Sequence, residues 1–277
     1  MIQLLREIFK PAYKYISSAE YREWIYVKSH CRNKALGTPV SLKINGFRVS
    51  GGDAESFRIL YEDIFVNRFF DINFSVKNPI IFSCGANIGL EIFFFKKYFP
   101  KCIIYAFESD PVIAKILDEN ISKNNLKDVT VISAAVWKKS GTINFQPDGA
   151  LGGKTGTGNV LVNAIRLADE LKNQNKIDLL IMDIEGAEIE VLKDCENELP
   201  KIENLFVEWH GRNEEAQNFD EMLALIGRAG FRYRLKNNLN NAPFRNRITE
   251  NGFDAMVQIY ASKINSNSHP PMAISNE

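Results

Sequence analysis

The sequence predicts an α/β fold, a mostly parallel sheet covered by helices on both faces, and three features predict it. From residue 80 onward, short continuous apolar runs alternate with amphipathic stretches, the pattern of buried parallel strands between covering helices. The first run, Ile80–Cys84, breaks into Gly85-Ala-Asn87-Ile-Gly89 and then opens an amphipathic stretch: a strand, a tight turn and a helix start. Near the end, Phe231–Leu235 and Phe253–Ala261 are strand-like with only a polar connection between them, which fits an antiparallel pair closing the sheet.

Taken in order, residues 1–30 carry apolar side chains at helical spacing on either side of Pro11, which predicts two short helices. Basic and aromatic residues alternate there; a helical cap on the domain is preferred over a peripheral membrane or partner contact. Val40–Ser50 reads as a hairpin, because it alternates and because Asn45-Gly46 suits a type I′ turn. A helix is expected at about 54–66. Strands follow at about 80–84, 103–107, 129–133, 178–182 and 204–208, with helices at about 88–98, 111–124, 164–172, 187–198 and 215–229. The chain therefore divides into an N-terminal helical and hairpin extension (1–66), which caps the substrate side, a main domain (67–261) and a tail rich in Ser, Asn and Pro (262–277) that reads as disordered. The biased segment Gly149–Gly158 is one residue short of a phosphate-binding GxxxxGK[ST] loop and lacks its strand and helix, so it reads as a surface connection or an active-site flap.

Composition sets broad limits. The 277 residues are 45% hydrophobic and 25% charged, ordinary values for one large domain with an extension. Lys plus Arg equals Asp plus Glu, at 34 each, so no global field steers the protein toward nucleic acid. Cys31, Cys84, Cys102 and Cys195 lack CxxC spacing and read as reduced thiols, which predicts a cytoplasmic location. No apolar run approaches the roughly 18 residues of a membrane span, and no signal-peptide core is evident.

The glycines at 85 and 89 let backbone approach a ligand, and the free N–H groups of the following helix face it. About twenty residues on, Cys102–Phe107 ends in Glu108, an acid placed to accept hydrogen bonds from both hydroxyls of a ribose. Together they predict an adenosine-type cofactor, against the alternative of an ordinary strand-to-helix turn. The GxxxG spacing is not the GxGxxG of dinucleotide sites, where a pyrophosphate settles on the helix; S-adenosylmethionine has no phosphate and needs only a turn that clears its methionine.

Four segments in order, GANIGLEIFFFKKYFP, YAFESDP, NNLKDVTVISAAVWKKSGTINF and IDLLIMDIEGAEIEVLK, resemble the FkbM family of S-adenosylmethionine-dependent methyltransferases from about residue 60 to 260. The resemblance implies a Rossmann-like class I methyltransferase with a seven-stranded sheet, and methyl transfer usually to a hydroxyl oxygen. Two positions depart from it: Ser83 stands where the family commonly has an acid, and Met182 where it often has a lysine. Gly85, Asn87 and Glu108 are the leading cofactor residues by position and resemblance, with Ser83, Gly89, Ser109 and Asp183 around them. Ser133 and Ala134 stand where the adenine edge is met in this fold, with Phe107 or Val136 as an apolar wall or plain core. Tyr61 and Glu62 are weaker candidates from the N-terminal side.

Methyl transfer from a sulfonium is an in-line displacement, so the protein must hold donor and acceptor together and remove the acceptor's proton. Asp183, Glu208 and His210 at predicted strand ends are the catalytic candidates. Asp183 faces the methionine end of the cofactor and the acceptor in this fold, and Glu185 and Glu188 share the following helix start, where capping is the simpler role. His210 is expected either to titrate near neutral pH as a general base or to be a loop bystander, whereas His30 and His269 lie outside the predicted core. No metal is required; Mg²⁺ or Mn²⁺ on Asp183, Glu185, Glu208 and His210 is an alternative that nothing in the spacing demands.

The expectation is a cytoplasmic O-methyltransferase acting on a hydroxyl of a sugar, glycan or other small metabolite. The rivals are an NAD-dependent oxidoreductase and a non-catalytic cofactor-binding relic, the latter motivated by Ser83 and Met182. The extension, residues 146–163 and residues 237–252 are expected to meet the acceptor, with Tyr233, Phe244 and Arg245 suiting a carbohydrate. Oligomeric state is open, a homo-oligomer included.

Overall fold

A computed structural model describes residues 18–147, 153–155, 158–212, 217–237, 253 and 255–263. The first element is helix α1 (Ala19–Cys31), started by Ser18, whose hydroxyl accepts from Tyr21 N–H at 3.1 Å. Strands β1 (Val40–Ile44) and β2 (Phe47–Gly51) pair antiparallel across Asn45 and Gly46, with φ of 50° and 87° as a type I′ turn requires. Asp53 caps α2 (Ala54–Tyr61), and a single π turn over Glu62–Val66 follows, closed by Asn67 N–H on Glu62 C=O at 2.8 Å.

The main sheet contains β3 (Ile80–Cys84), β4 (Ile103–Glu108), β5 (Val129–Ser133), β10 (Leu179–Met182), β11 (Asn204–Gly211), β12 (Phe231–Asn237) and β13 (Ala255–Lys263). Their order is β12-β13-β11-β10-β3-β4-β5; β11 through β5 are parallel, and β13 runs antiparallel to both of its neighbours. This is the Rossmann-like class I methyltransferase sheet, with seven strands and the expected antiparallel C-terminal pair. The reversal of strand order between the parallel neighbours β3 and β10 opens a crevice at the C-terminal strand ends, where such sheets bind ligands.

Alternate residues face alternate cores. Ile81, Leu179, Ile181 and Phe206 join one cluster with α1, the hairpin, α2, α3 (Leu90–Tyr98) and α4 (Pro111–Lys123). Phe82, Leu180, Met182, Leu205 and Val207 join the other, with α5 (Leu167–Lys172), α6 (Glu188–Asp194) and α7 (Phe219–Arg228). Fully burying one such side chain stabilises the fold by about 1.5–3 kcal/mol, so both layers are held chiefly by apolar contact. Polar ties set register: Asp178 Oδ2 accepts from Ile80 N–H at 2.9 Å, fixing the start of β3 beside β10. No helix among the described residues is long and apolar enough to cross a membrane, and all four cysteines are free and buried.

A second sheet was not anticipated. Strands β6 (Ala135–Trp137), β7 (Gly141–Pro147), β8 (Gly153–Thr155) and β9 (Val160–Arg166) take the order β6-β9-β7-β8. The expected 146–163 connection is thus largely strand where described, and the expected 164–172 helix starts only at Leu167. The reason is visible in Val160–Arg166, which alternates exposed and buried residues because one face packs on Phe145 and Ala135 while the other meets solvent. At the C-terminal side, Ser262 and Lys263 continue β13 by pairing with Arg232 and Phe231, so the first two residues of the expected disordered tail are strand. The rest of that tail, with His269, the first N-terminal helix, and most of the 237–252 connection, with Phe244 and Arg245, lie outside the described residues.

Candidate active site

The site begins where β3 ends. Gly85 and Gly89 both have φ of 84°, and Asn87 between them has φ of 46°. A Cβ on Gly85 would lie 1.8 Å from the Asp183 carbonyl oxygen, so only glycine lets the turn pass the end of β10. A Cβ on Gly89 would meet the Leu117 side chain at 2.5 Å; that glycine serves the packing of α3 on α4 and does not line the cleft. The turn is stitched to the next strand by Gly85 and Ala86 N–H groups donating to Phe107 C=O at 3.0 and 2.9 Å.

Glu108 stands at the tip of β4. One carboxylate oxygen accepts from Asn87 N–H and the other from Asp110 N–H, each at 2.8 Å. Each oxygen keeps a lone pair for a further donor, so the group is pre-oriented and still able to bind two hydroxyls. Burial pushes its pKa up to about 7, against the pull of the two backbone donors. Asp110 caps α4 by accepting from Val112 and Ile113 N–H.

Across the turn, Ser83 Oγ donates to Glu91 Oε1 at 2.9 Å, and both residues are buried. Burial pushes the Glu91 carboxyl up to about 8. Glu91 was missed in the sequence; its signal was one acid inside Leu90–Lys96, a helical stretch buried all round.

A second group gathers at the ends of β10 and β11. His210 is 1% exposed, with Nδ1 at 3.1 Å from Glu188 Oε1. Its Nε2 faces three carboxylate oxygens: Asp183 Oδ1 at 3.9 Å, Glu185 Oε2 at 3.8 Å and Glu208 Oε1 at 3.8 Å. Glu188 Oε1 also accepts from Ile184 and Gly186 N–H, which holds the loop after β10 with Glu185 at φ of 60°. Glu208 Oε2 accepts from Gln258 Nε2 at 2.7 Å, and the ring of Phe253 packs on His210 at 4.6 Å.

Burial alone would lower the His210 pKa, but the charges of Glu188, Asp183 and Glu185 outweigh it and push the imidazole up to about 10. The surrounding carboxylates thus favour the imidazolium form over the free base, the direction opposite to a histidine that titrates near neutral pH. The carboxylates respond in the opposite sense: Asp183 is pushed well above its usual range by burial and by Glu208, and Glu208 is raised by burial. Like charges this close cannot all ionise, so the cluster shares protons.

Between the two groups lies one cleft. Of the expected site residues, Ser83, Gly85, Asn87, Glu108, Ser109, Ala134, Asp183 and Glu208 line it, together with Glu185, Phe107 and Val136. Ser133 is exposed at the end of β5 and His210 sits behind the carboxylates; neither lines the cleft. Tyr61 and Glu62 turn away, the tyrosine donating to Glu23 at 2.7 Å and the glutamate pairing with Arg58; Leu60 and Asp63 line the cleft in their place. His30 is exposed on α1. The acids Asp63, Glu91, Glu108, Asp110, Asp183, Glu185 and Glu208 all border the cleft, and no lysine or arginine is among its described lining residues. Such a lining attracts cationic ligands and repels phosphates.

Residues 83–233 match the methyltransferase FkbM domain. The chain is 30% identical over 180 residues to methyltransferase sdnD of Sordaria araneosa, covering 51% of this chain and 70% of that protein. It is 24% identical over 214 residues to the hexuronic acid methyltransferase AglP of Haloferax volcanii, covering 69% and 81% respectively. A crystallised FkbM methyltransferase from Methylobacillus flagellatus aligns with a TM-score of 0.48 at 15% identity, over 72% of this chain and 48% of that one.

Proposed function

The chain belongs to the FkbM methyltransferase family, and on that premise we propose that it transfers a methyl group from S-adenosylmethionine to a hydroxyl of a sugar, glycan or other small metabolite. The observation that carries the cofactor half is the cleft itself: Glu108 is oriented by two backbone N–H groups at its rim, and the lining is acidic. A sulfonium and an ammonium suit that lining, whereas the pyrophosphate of a dinucleotide does not. In this reading Glu108 takes the ribose diol, the Gly85–Asn87 backbone clears the methionine, Ser109 and Ala134 flank the adenosine, and Phe107 and Val136 form its apolar wall. A hexuronic acid methyltransferase among the relatives supports a sugar acceptor. The four free, buried cysteines support a reducing, cytoplasmic setting.

For the chemistry, Asp183 and Glu208 are the proton acceptors, their raised pKa values bringing them closer to the task of deprotonating an alcohol than an ordinary carboxylate. His210 holds them: as a buried cation it lets several carboxylates stand together at the methyl-transfer end. A second reading places Mg²⁺ or Mn²⁺ on Asp183, Glu185, Glu208 and His210, the imidazole giving up its proton to bind, where the ion would acidify the acceptor hydroxyl. It is favoured by Asp183 Oδ1, which is buried with no hydrogen-bond partner. The candidate donor atoms that lie together among the described residues are those of Asp183, Glu188 and His210, within 4.8 Å of one another, and a loss of turnover in chelator, restored by Mn²⁺, would establish such a site.

Calorimetry with S-adenosylhomocysteine and with NAD is the direct test of the cofactor. The product analogue is expected to bind and NAD to give no heat; NAD binding without S-adenosylhomocysteine binding would make the protein an oxidoreductase. Turnover on a panel of glycosides then separates an enzyme from a relic.

A further inference from the structure

Resting on that cofactor reading, we infer that Glu91, working through Ser83, is the anion that receives the α-ammonium group of S-adenosylmethionine. Ser83 ends the first strand of the parallel sheet, directly before the glycine turn, and brings a hydroxyl without charge. Glu91 brings the charge from the other side of the turn, out of the first turn of α3. Its carboxylate is bonded to Ser83 Oγ at 2.9 Å, and both side chains border the cleft.

Glu91 is 7% exposed, yet no lysine, arginine or histidine pairs with it among the described residues. Glu108, a charge of the same sign, acts on it and disfavours its ionised form. In its ionised form a buried carboxylate with a hydroxyl partner and a like charge nearby is unfavourable unless a cation arrives, so Glu91 keeps its proton until one does and releases it then. An acid at a helix start does gain from the dipole, but it gains that while exposed and needs no burial against a cleft. Glu108 is already aimed at the diol by two backbone donors, which leaves Glu91 and Ser83 as the polar pair at the opposite side of the turn. The charge absent at position 83 is thereby supplied from position 91.

The test compares two probes in the full chain: S-adenosylhomocysteine, and 5′-methylthioadenosine, which keeps the nucleoside and lacks the amino-acid end. Wild type is expected to prefer the first. In E91Q the affinity for S-adenosylhomocysteine falls about tenfold or more, as expected for a lost charge-assisted hydrogen bond, while 5′-methylthioadenosine stays within about twofold. Adding S83D to E91Q returns a carboxylate to the site and recovers most of the loss. S83A, which leaves the helix start intact, shows the same selective loss to a smaller degree, about threefold, and serves if E91Q does not fold. Equal weakening of both probes in E91Q and S83A, or no weakening of either, overturns the inference and leaves the cofactor reading standing. A wild-type chain that binds neither probe overturns both.

Discussion

The Glu108 corner and the His210 cluster are both built from buried carboxylates at parallel strand ends, and they are stabilised in opposite ways. At Glu108 the carboxylate is met by two backbone N–H groups of neighbouring loops, with no side-chain cation paired to it among the described residues. At His210 four carboxylates are met by one imidazolium, which hydrogen-bonds only Glu188 and stands 3.8–3.9 Å from the other three. Backbone dipoles hold a charge in one place without exchanging protons, which suits recognition of a neutral diol. A cation shared among excess carboxylates leaves protons to be redistributed, which suits proton transfer.

The largest break in this comparison comes from Asp183→Asn. It removes the proposed proton acceptor and keeps its shape, so turnover falls by about 10²–10⁴ while S-adenosylhomocysteine affinity changes by less than about tenfold. Stopped-time methylation assays on a true acceptor read this; unchanged turnover would move the base elsewhere. His210→Ala comes next. Removing the buried cation leaves Glu188 and its neighbours uncompensated, and costs about 3–5 kcal/mol of stability in urea unfolding. A cost under about 1 kcal/mol would mean that the ring is a bystander.

The third effect is spread over pH. His210, Glu91 and Glu108 all have folded-state pKa values raised, from 6.5 to about 10, from 4.5 to about 8 and from 4.5 to about 7. A group with a raised folded pKa stabilises fully below its unfolded value, and that stability is lost as pH rises through the folded value. Stability should therefore decline from about pH 5 toward pH 10, with E108Q removing part of the decline between about 4.5 and 7 and leaving the part above it. A stability that rises over that range contradicts the protonation states described for both regions.

The two regions were also unequally legible. The Glu108 corner could be read from the chain because its parts are local: an apolar run, glycines whose positive φ is needed, and an acid ending the next run. The strands β3, β4 and β10 were legible for the same reason, being short and mostly apolar runs. The second sheet was not, because Val160–Arg166 is half exposed and lies beside a glycine-rich stretch that suggested a loop. The charge state of His210 was not legible either. It is set by Glu188 on α6 and by Asp183 and Glu185 in the loop after β10, and summing their fields requires the three-dimensional distances. Glu91 was hidden by its surroundings, since an apolar helix draws attention to its hydrophobic residues and not to the acid among them.

The measurement closest to the central claim is the affinity of S-adenosylhomocysteine for Glu108→Ala against wild type, by calorimetry, with melting temperature as the control for folding. Loss of two charge-assisted hydrogen bonds to the ribose should weaken binding by at least about tenfold, with Glu108→Gln falling between. A folded Glu108→Ala that binds within about twofold of wild type would contradict the claim that this carboxylate holds the cofactor.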